Sequence, residues 1–170
     1  MLIQFLRHLP IVILFTALPA ATYGQNTSNG DLDALPDVAE EFEIRFVAKE
    51  PLTRNPCAMA FDVHGRLFIG MGPQYRSPTP NTPGDSVYLM IDSDNDGVFD
   101  KKHPFASGFN NIQGLCWHGD DLWIANAPDL TIVRDTDNDD VADEYIRLYT
   151  DLGNLEHGLH GLTWLSLIHI

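Results

Sequence analysis

Apolar and polar residues along this chain alternate over short runs instead of recurring every three or four positions, and that pattern predicts strands. In FEIRFVAKEP, Phe42, Ile44 and Phe46 alternate with Glu43 and Arg45, the period of a half-buried strand and the start of order. Further on, AMAFDVHGRLFIG at 58 to 70 matches GLCWHGDDLWIAN at 114 to 126. Each has small or apolar residues and an aromatic, then a Gly/Asp turn, then Leu, an aromatic and Ile. GLTW at 161 to 164 opens a third copy, so Phe61, Trp117 and Trp164 fall in register at intervals of about 50 residues. The strand-like runs SVYLMI and LTIVR lie between copies, and each leads straight into an aspartate-rich loop. No segment after residue 24 has helical periodicity.

Short strands in units of about 40 to 50 residues are the signature of an all-β β-propeller, each unit being one four-stranded blade. A two-sheet sandwich would explain the strands but not a repeat of that length. Residues 42–164 give room for about three blades, whereas propellers close with about four to eight. The chain therefore reads as a fragment of a larger propeller. After GLTW the expected turn does not come, and LSLIHI departs from the repeat, so 165–170 are expected to be a non-native tail. Residues 25–41 are rich in Asn, Ser, Gly, Asp and Pro and read as a flexible lead-in.

At the N-terminus, Arg7 and His8 precede the apolar run IVILFTALPAA and small residues follow, so 1–24 read as a signal peptide and the protein as exported, periplasmic or extracellular. The apolar run is short for a membrane span. Export permits disulfides, but Cys57 and Cys116 fall at non-equivalent repeat positions with opposite strand parity, which favours separate thiols.

The net charge of −14 excludes a nucleic-acid binder, because phosphate backbones demand Lys and Arg. Much of that charge sits in two loops, IDSDNDGVFD at 91 to 100 and RDTDNDDVADE at 134 to 144. Local acidity of this kind points to a cation site instead of a solvated tail. In the first loop Asp92, Asp94, Asp96 and Asp100 alternate around Gly97, with the carbonyl of Val98 as a further oxygen. In the second, Asp135, Asp137, Asp139 and Asp143 repeat the spacing, with Asp140 where the glycine would be. A set of hard oxygen donors on a tightly curled loop selects Ca²⁺. The twelfth positions are His103 and Ile146, not the bidentate Glu of an EF-hand, so shorter calcium loops between strands are expected. The same residue types also favour metal-free turns. Calcium between strands usually secures a loop, so its expected role is bracing.

NLEHGLHGLTW places His157 and His160 beside Glu156 in a loop that enters a repeat. Entry loops of a propeller lie near the central channel, which makes both histidines candidate catalytic residues, although a loop histidine often serves only packing or the surface.

FEIRFVAKEPLTRNPCAMAFDVHGRLFIGM, PGDSVYLMIDSDNDGVFDKKHPFASGF and NLEHGLHGLTW together resemble the N-terminal propeller of large exported bacterial proteins named as membrane-bound dehydrogenases. That family is distantly similar to glucose/sorbosone dehydrogenases, six-bladed propellers that use pyrroloquinoline quinone with Ca²⁺. The resemblance implies a six-bladed parent that oxidises a sugar or alcohol and passes electrons to a c-type haem domain, with membrane association of the whole protein. It implies His157 as the general base taking the proton from the substrate hydroxyl, with His160 as the fallback. In the glucose/sorbosone enzymes an Arg stands between the glycine and the leucine, whereas here Gly161 runs straight into Leu162. The aspartate loops do not match the enzymes' cofactor-bound calcium and read as separate structural sites. The other expectation is a non-catalytic, calcium-braced propeller that binds polysaccharide or a protein partner.

Overall fold

The computed structural model describes residues 39–42, 44–75, 79–153 and 158–165, together with the backbone of 2–7 and 9–15. The described residues are all β: β1 (Leu2–Arg7), β2 (Leu9–Phe15), β3 (Ile44–Ala48), β4 (Pro56–Phe61), β5 (Leu67–Met71), β6 (Asp85–Ile91), β7 (Lys101–Phe109), β8 (Ile112–His118), β9 (Asp121–Asn126), β10 (Asp129–Arg134) and β11 (Glu144–Tyr149). No helix long and apolar enough to cross a membrane is among them. Two four-stranded antiparallel meanders, β4-β5-β6-β7 and β8-β9-β10-β11, carry the architecture, and β3 pairs with β1, which pairs with β2.

The sequence repeat is a structural repeat at the level of register. Ala58, Met59, Ala60 and Phe61 face Gly70, Ile69, Phe68 and Leu67 across β4 and β5. Gly114, Leu115, Cys116 and Trp117 face Ala125, Ile124, Trp123 and Leu122 across β8 and β9 in the same way. A register shift marks the start of each first strand, between Pro56 and Ala58 and between Ile112 and Gly114. Turn chemistry sets this register. Asp62 accepts hydrogen bonds from the N–H groups of His64 (2.9 Å) and Arg66 (2.8 Å), and Gly65 takes φ +79°.

The two sheets pack face to face. Phe68, Val87, Leu89, Phe105 and Phe109 of the first sheet bury against Ile112, Leu115, Leu122, Ile124 and Val133 of the second. Trp117 of β8 packs edge-on to Phe68 with ring centroids 4.9 Å apart. The opposite face of the first sheet, with Leu67, Ile69, Met71 and Met90, buries against Val47 and Ala48 of β3. Covered on both faces, β5 is buried along its whole length, which is why LFIGM is a continuous apolar run and not an alternating one.

Backbone approaches β8 closely on two sides. A Cβ on Gly70 would lie 2.9 Å from Ile112 Cγ2, and one on Gly114 would lie 3.0 Å from the N of Gly161. The segment from Gly161 to Trp164 thus packs on the second sheet. Gly161 N–H donates to the carbonyl of Gln113 at 3.3 Å, and Trp164 packs 5.9 Å from Trp123 and stacks on His118 at 3.5 Å.

Three sequence expectations are adjusted. Phe42 stands outside β3 and is 53% exposed, so the N-terminal strand is anchored by Ile44, Val47 and Ala48. GLTW is not a strand: Gly161 is left-handed at φ 44°, and 161–165 carry no strand assignment. β7 and β11 are strands that periodicity does not announce. Of the regions read as signal, lead-in and tail, only the β1 and β2 backbone, 39–41 and Leu165 lie within the described residues; 166–170 lie outside them.

Candidate functional site

The aspartate loops join the third and fourth strands of each sheet, β6 to β7 and β10 to β11. Three backbone-to-carboxylate bonds recur at equivalent positions in both, and the second loop adds one from Asn138 N–H to Asp135 at 2.7 Å. In the first, Asp92 accepts from the N–H groups of Asp96 (3.2 Å) and Gly97 (2.8 Å), and Asp96 accepts from Val98 N–H (2.8 Å). In the second, Asp135 accepts from Asp139 (3.2 Å) and Asp140 (2.9 Å), and Asp139 accepts from Val141 (2.9 Å). Asn95 and Asn138 adopt left-handed backbone at φ 59° and 62°, as do Gly97 at 88° and Asp140 at 66°. Asn and Asp tolerate that region better than most residues, so Asp140 can stand where the first loop needs glycine.

This curl brings three carboxylates together twice. Ligand oxygens of Asp92, Asp94 and Asp96 lie within 4.8 Å of one another, and those of Asp135, Asp137 and Asp139 do the same. In the second loop the charge of Asp139, then desolvation, then Asp143 and Asp135 raise the Asp137 carboxyl above its ordinary range. A bound cation would relieve that repulsion. The donor set is hard oxygen throughout, which fits Ca²⁺ and excludes a thiolate or imidazole site.

The fourth aspartates serve the loop necks. Asp100 accepts from Ser93 N–H (2.9 Å) and Ser93 Oγ–H (2.5 Å), and Asp143 accepts from Thr136 N–H (3.0 Å) and Oγ1–H (2.5 Å). Those bonds hold both carboxyls below the usual carboxylate range. Asp100 and Asp143 lie outside the converging triads, and Val98 joins the first loop through its N–H.

Each loop is also sewn to a neighbouring element at the same point. Phe99 N–H donates to Val47 O of β3 at 2.8 Å, and Ala142 N–H donates to Phe105 O of β7 at 2.7 Å. The second loop has a further tie, because Arg66 Nη1 donates to Asp140 Oδ1 at 2.5 Å while Arg66 Nε donates to Asp62 Oδ2 at 2.6 Å. Residue 66 sits in a turn of the first sheet, so this arginine links the sheets.

The opposite ends of the strands hold a buried carboxylate that sequence pattern did not single out. Asp85, at the start of β6, is 1% exposed. It accepts from Ile112 N–H at 3.0 Å and Gln74 N–H at 3.3 Å. Burial raises its carboxyl above the ordinary range against the opposing effect of those bonds. Cys57 donates to Gly70 O at 3.2 Å, and its Sγ would be 3.4 Å from a Cβ on Gly72. Desolvation of the sulfur, then the Asp85 charge, push this thiol up to about 12, so it carries its proton even though the residue as a whole is exposed. Cys57 and Cys116 are free thiols. An acid at the head of an apolar strand, as in GDSVYLM, was the only sequence signal for Asp85.

His157 lies outside the described residues. His160 is exposed in coil, in the segment whose Gly161 N–H meets Gln113 O, next to Ile112 and therefore toward the Asp85 end. Among the described residues, the structure does not bring the aspartate triads and His160 together, since they attach at opposite ends of the strands.

The family model described as "Domain of unknown function (DUF7133)" matches residues 32–166, and the chain belongs to that family. No curated protein and no solved structure matches it.

Proposed function

We propose that this chain is part of an exported, calcium-braced β-propeller that acts as a binding module, with one Ca²⁺ seated in each aspartate loop. The observation that carries the reading is the twin triad: two sets of three carboxylates within 4.8 Å, on loops that share three backbone-to-carboxylate bonds. Turn chemistry alone needs Asp92 and Asp96, Asp135 and Asp139, whose oxygens hold backbone N–H groups; it does not account for Asp94 and Asp137, each a further carboxylate crowded against such a pair.

Three repeated relationships favour a propeller. β8 at Gly114 meets the next copy's sequence at Gly161, aromatic contacts recur from Phe68–Trp117 to Trp123–Trp164, and β3 stands to the first aspartate loop as β7 stands to the second. On this reading β3 is the outer strand of a further blade. Calcium braces one end, leaving the Asp85 end to face a polysaccharide or protein partner. Calorimetric titration tests it: two Ca²⁺ per chain are expected, and Asp94→Asn with Asp137→Asn should abolish both.

The oxidoreductase reading is favoured by one observation. The bond from Gly161 N–H to Gln113 O carries His160 to the end where Asp85 is buried with a raised pKa. There His157 or His160 would take a proton from a sugar or alcohol, and pyrroloquinoline quinone would accept the hydride. Dye reduction by a full-length parent loaded with the quinone and Ca²⁺ tests this, with loss in His157→Ala or His160→Ala expected. An inactive, quinone-free parent would leave the binding module.

A further inference from the structure

A cavity of about 420 Å³ opens at the aspartate-loop end of the molecule, between the turns of the two sheets. That volume is in the range of small-ligand sites. Its apolar lining comes from Trp117 and Phe105, whose rings lie 5.7 Å apart. The indole Nε1 of Trp117 is buried without an acceptor among the described residues.

The polar lining is built from two guanidiniums that already have carboxylate partners. Arg66 is held by Asp62 and Asp140. Arg134 donates from Nε (2.5 Å) and Nη2 (3.2 Å) to Asp121 and from Nη1 to Glu144 at 2.8 Å. Each arginine is thus fixed in place and its charge balanced, which leaves little net attraction for an anion. What remains is donors and acceptors side by side beneath an aromatic face. A pair of adjacent hydroxyls uses such an arrangement by donating to a carboxylate oxygen and accepting from the neighbouring guanidinium, while the C–H face of a sugar ring lies on the aromatic.

We propose that this cavity is a binding site for a neutral saccharide, with Trp117, backed by the buried Phe105, as the platform and Arg66, Arg134 and Asp120 as the hydroxyl-reading groups. It is separate from the Asp85 end and does not depend on the propeller reading; Asp135 of the second aspartate triad also lines it, so it is tested both with Ca²⁺ and with chelator. The probes are methyl α-glucoside, maltose and cellobiose, with glucose 6-phosphate as the anionic comparator, titrated calorimetrically into the intact chain.

Saturable binding of at least one neutral probe is expected, weakened about tenfold by Asp120→Ala, the loss of one hydrogen bond to a charged group. Trp117→Phe should weaken it as well, and unchanged melting of the Asp120→Ala protein separates binding from folding. Absence of binding by all neutral probes, affinity untouched by Asp120→Ala and Trp117→Phe, or tighter binding of glucose 6-phosphate would each overturn the assignment.

Discussion

Arg66 reaches from a turn of the first sheet to Asp140 in the aspartate loop of the second, Nη1 to Oδ1 at 2.5 Å. Asp140 is the residue that stands where the first loop has Gly97, and it pays for that position with left-handed backbone at φ 66°. The irregularity in the second loop is therefore a cross-sheet tie.

Opposing effects fix the outcome of substitution there. Asp140→Gly relieves a strained backbone worth about 1 kcal/mol but removes an ion pair whose members are 42% and 45% exposed, worth about 0–1 kcal/mol. Near-neutral stability is expected in dilute salt, and a gain over wild type in 1 M salt, where the pair is screened. The mirror substitution, Gly97→Asp, puts a side chain at φ 88° with no arginine opposite among the described residues, and should cost about 1–2 kcal/mol by urea denaturation.

Asp85 and Asp62 should answer pH with opposite signs. Burial raises Asp85 in the folded protein, so its contribution is present at low pH and is lost as pH rises above the ordinary carboxylate value of 3.8 through the raised folded value. Asp62 is lowered: burial opposes ionisation, but the hydrogen bonds and charge of Arg66 win. Its contribution is present above 3.8 and is lost as pH falls through the lowered value. Stability curves from about pH 3 to 6 should therefore show the wild-type advantage over Asp85→Asn shrinking as pH rises, and that over Asp62→Asn growing. Parallel curves would contradict both assignments.

At neutral pH Asp85→Asn should still destabilise, by about 1–3 kcal/mol. Both Asp85 oxygens accept backbone N–H groups, from Ile112 and Gln74, and an amide offers only one acceptor. Chemical denaturation at pH 7 measures this.

The aromatic contacts predict graded losses. Phe68 is fully buried against Phe105 and Trp117, and Phe68→Ala should cost about 3–5 kcal/mol. Trp164 is 53% exposed, and Trp164→Ala should cost no more than about 1.5 kcal/mol by the same measurement. Equal losses would contradict the grading by burial.

How far the sequence could be read follows from where each structure's cause lies. The first two strands of each sheet were legible because Leu67, Ile69, Leu122 and Ile124 recur at fixed offsets from a Gly/Asp turn. The loops were legible because alternate aspartates have a local geometric purpose. β7 was not, since KKHPFASGF has a proline, a left-handed Gly108 and no alternation, and is a strand because β6 offers it a partner. β11, EYIRLY, is exposed along most of its length, so burial wrote little periodicity into it. Asp100 and Asp143 were assigned to a metal shell on spacing, and only the fold shows Ser93 and Thr136 filling their oxygens. The Arg66–Asp140 tie and the Asp85 site join residues far apart in the chain, and no local pattern encodes such meetings.

Calcium binding bears most directly on the whole account. Titrating Ca²⁺ into metal-free protein while following heat and thermal unfolding should give two sites and a rise in stability of about 2.7 kcal/mol for each site at a hundredfold excess over the dissociation constant. Asp94→Asn should remove one site, Asp137→Asn the other, and the double variant both the heat and the stabilisation. Unfolding that is indifferent to millimolar Ca²⁺, with no heat of binding, would contradict the account and leave the loops as turns held by their own hydrogen bonds.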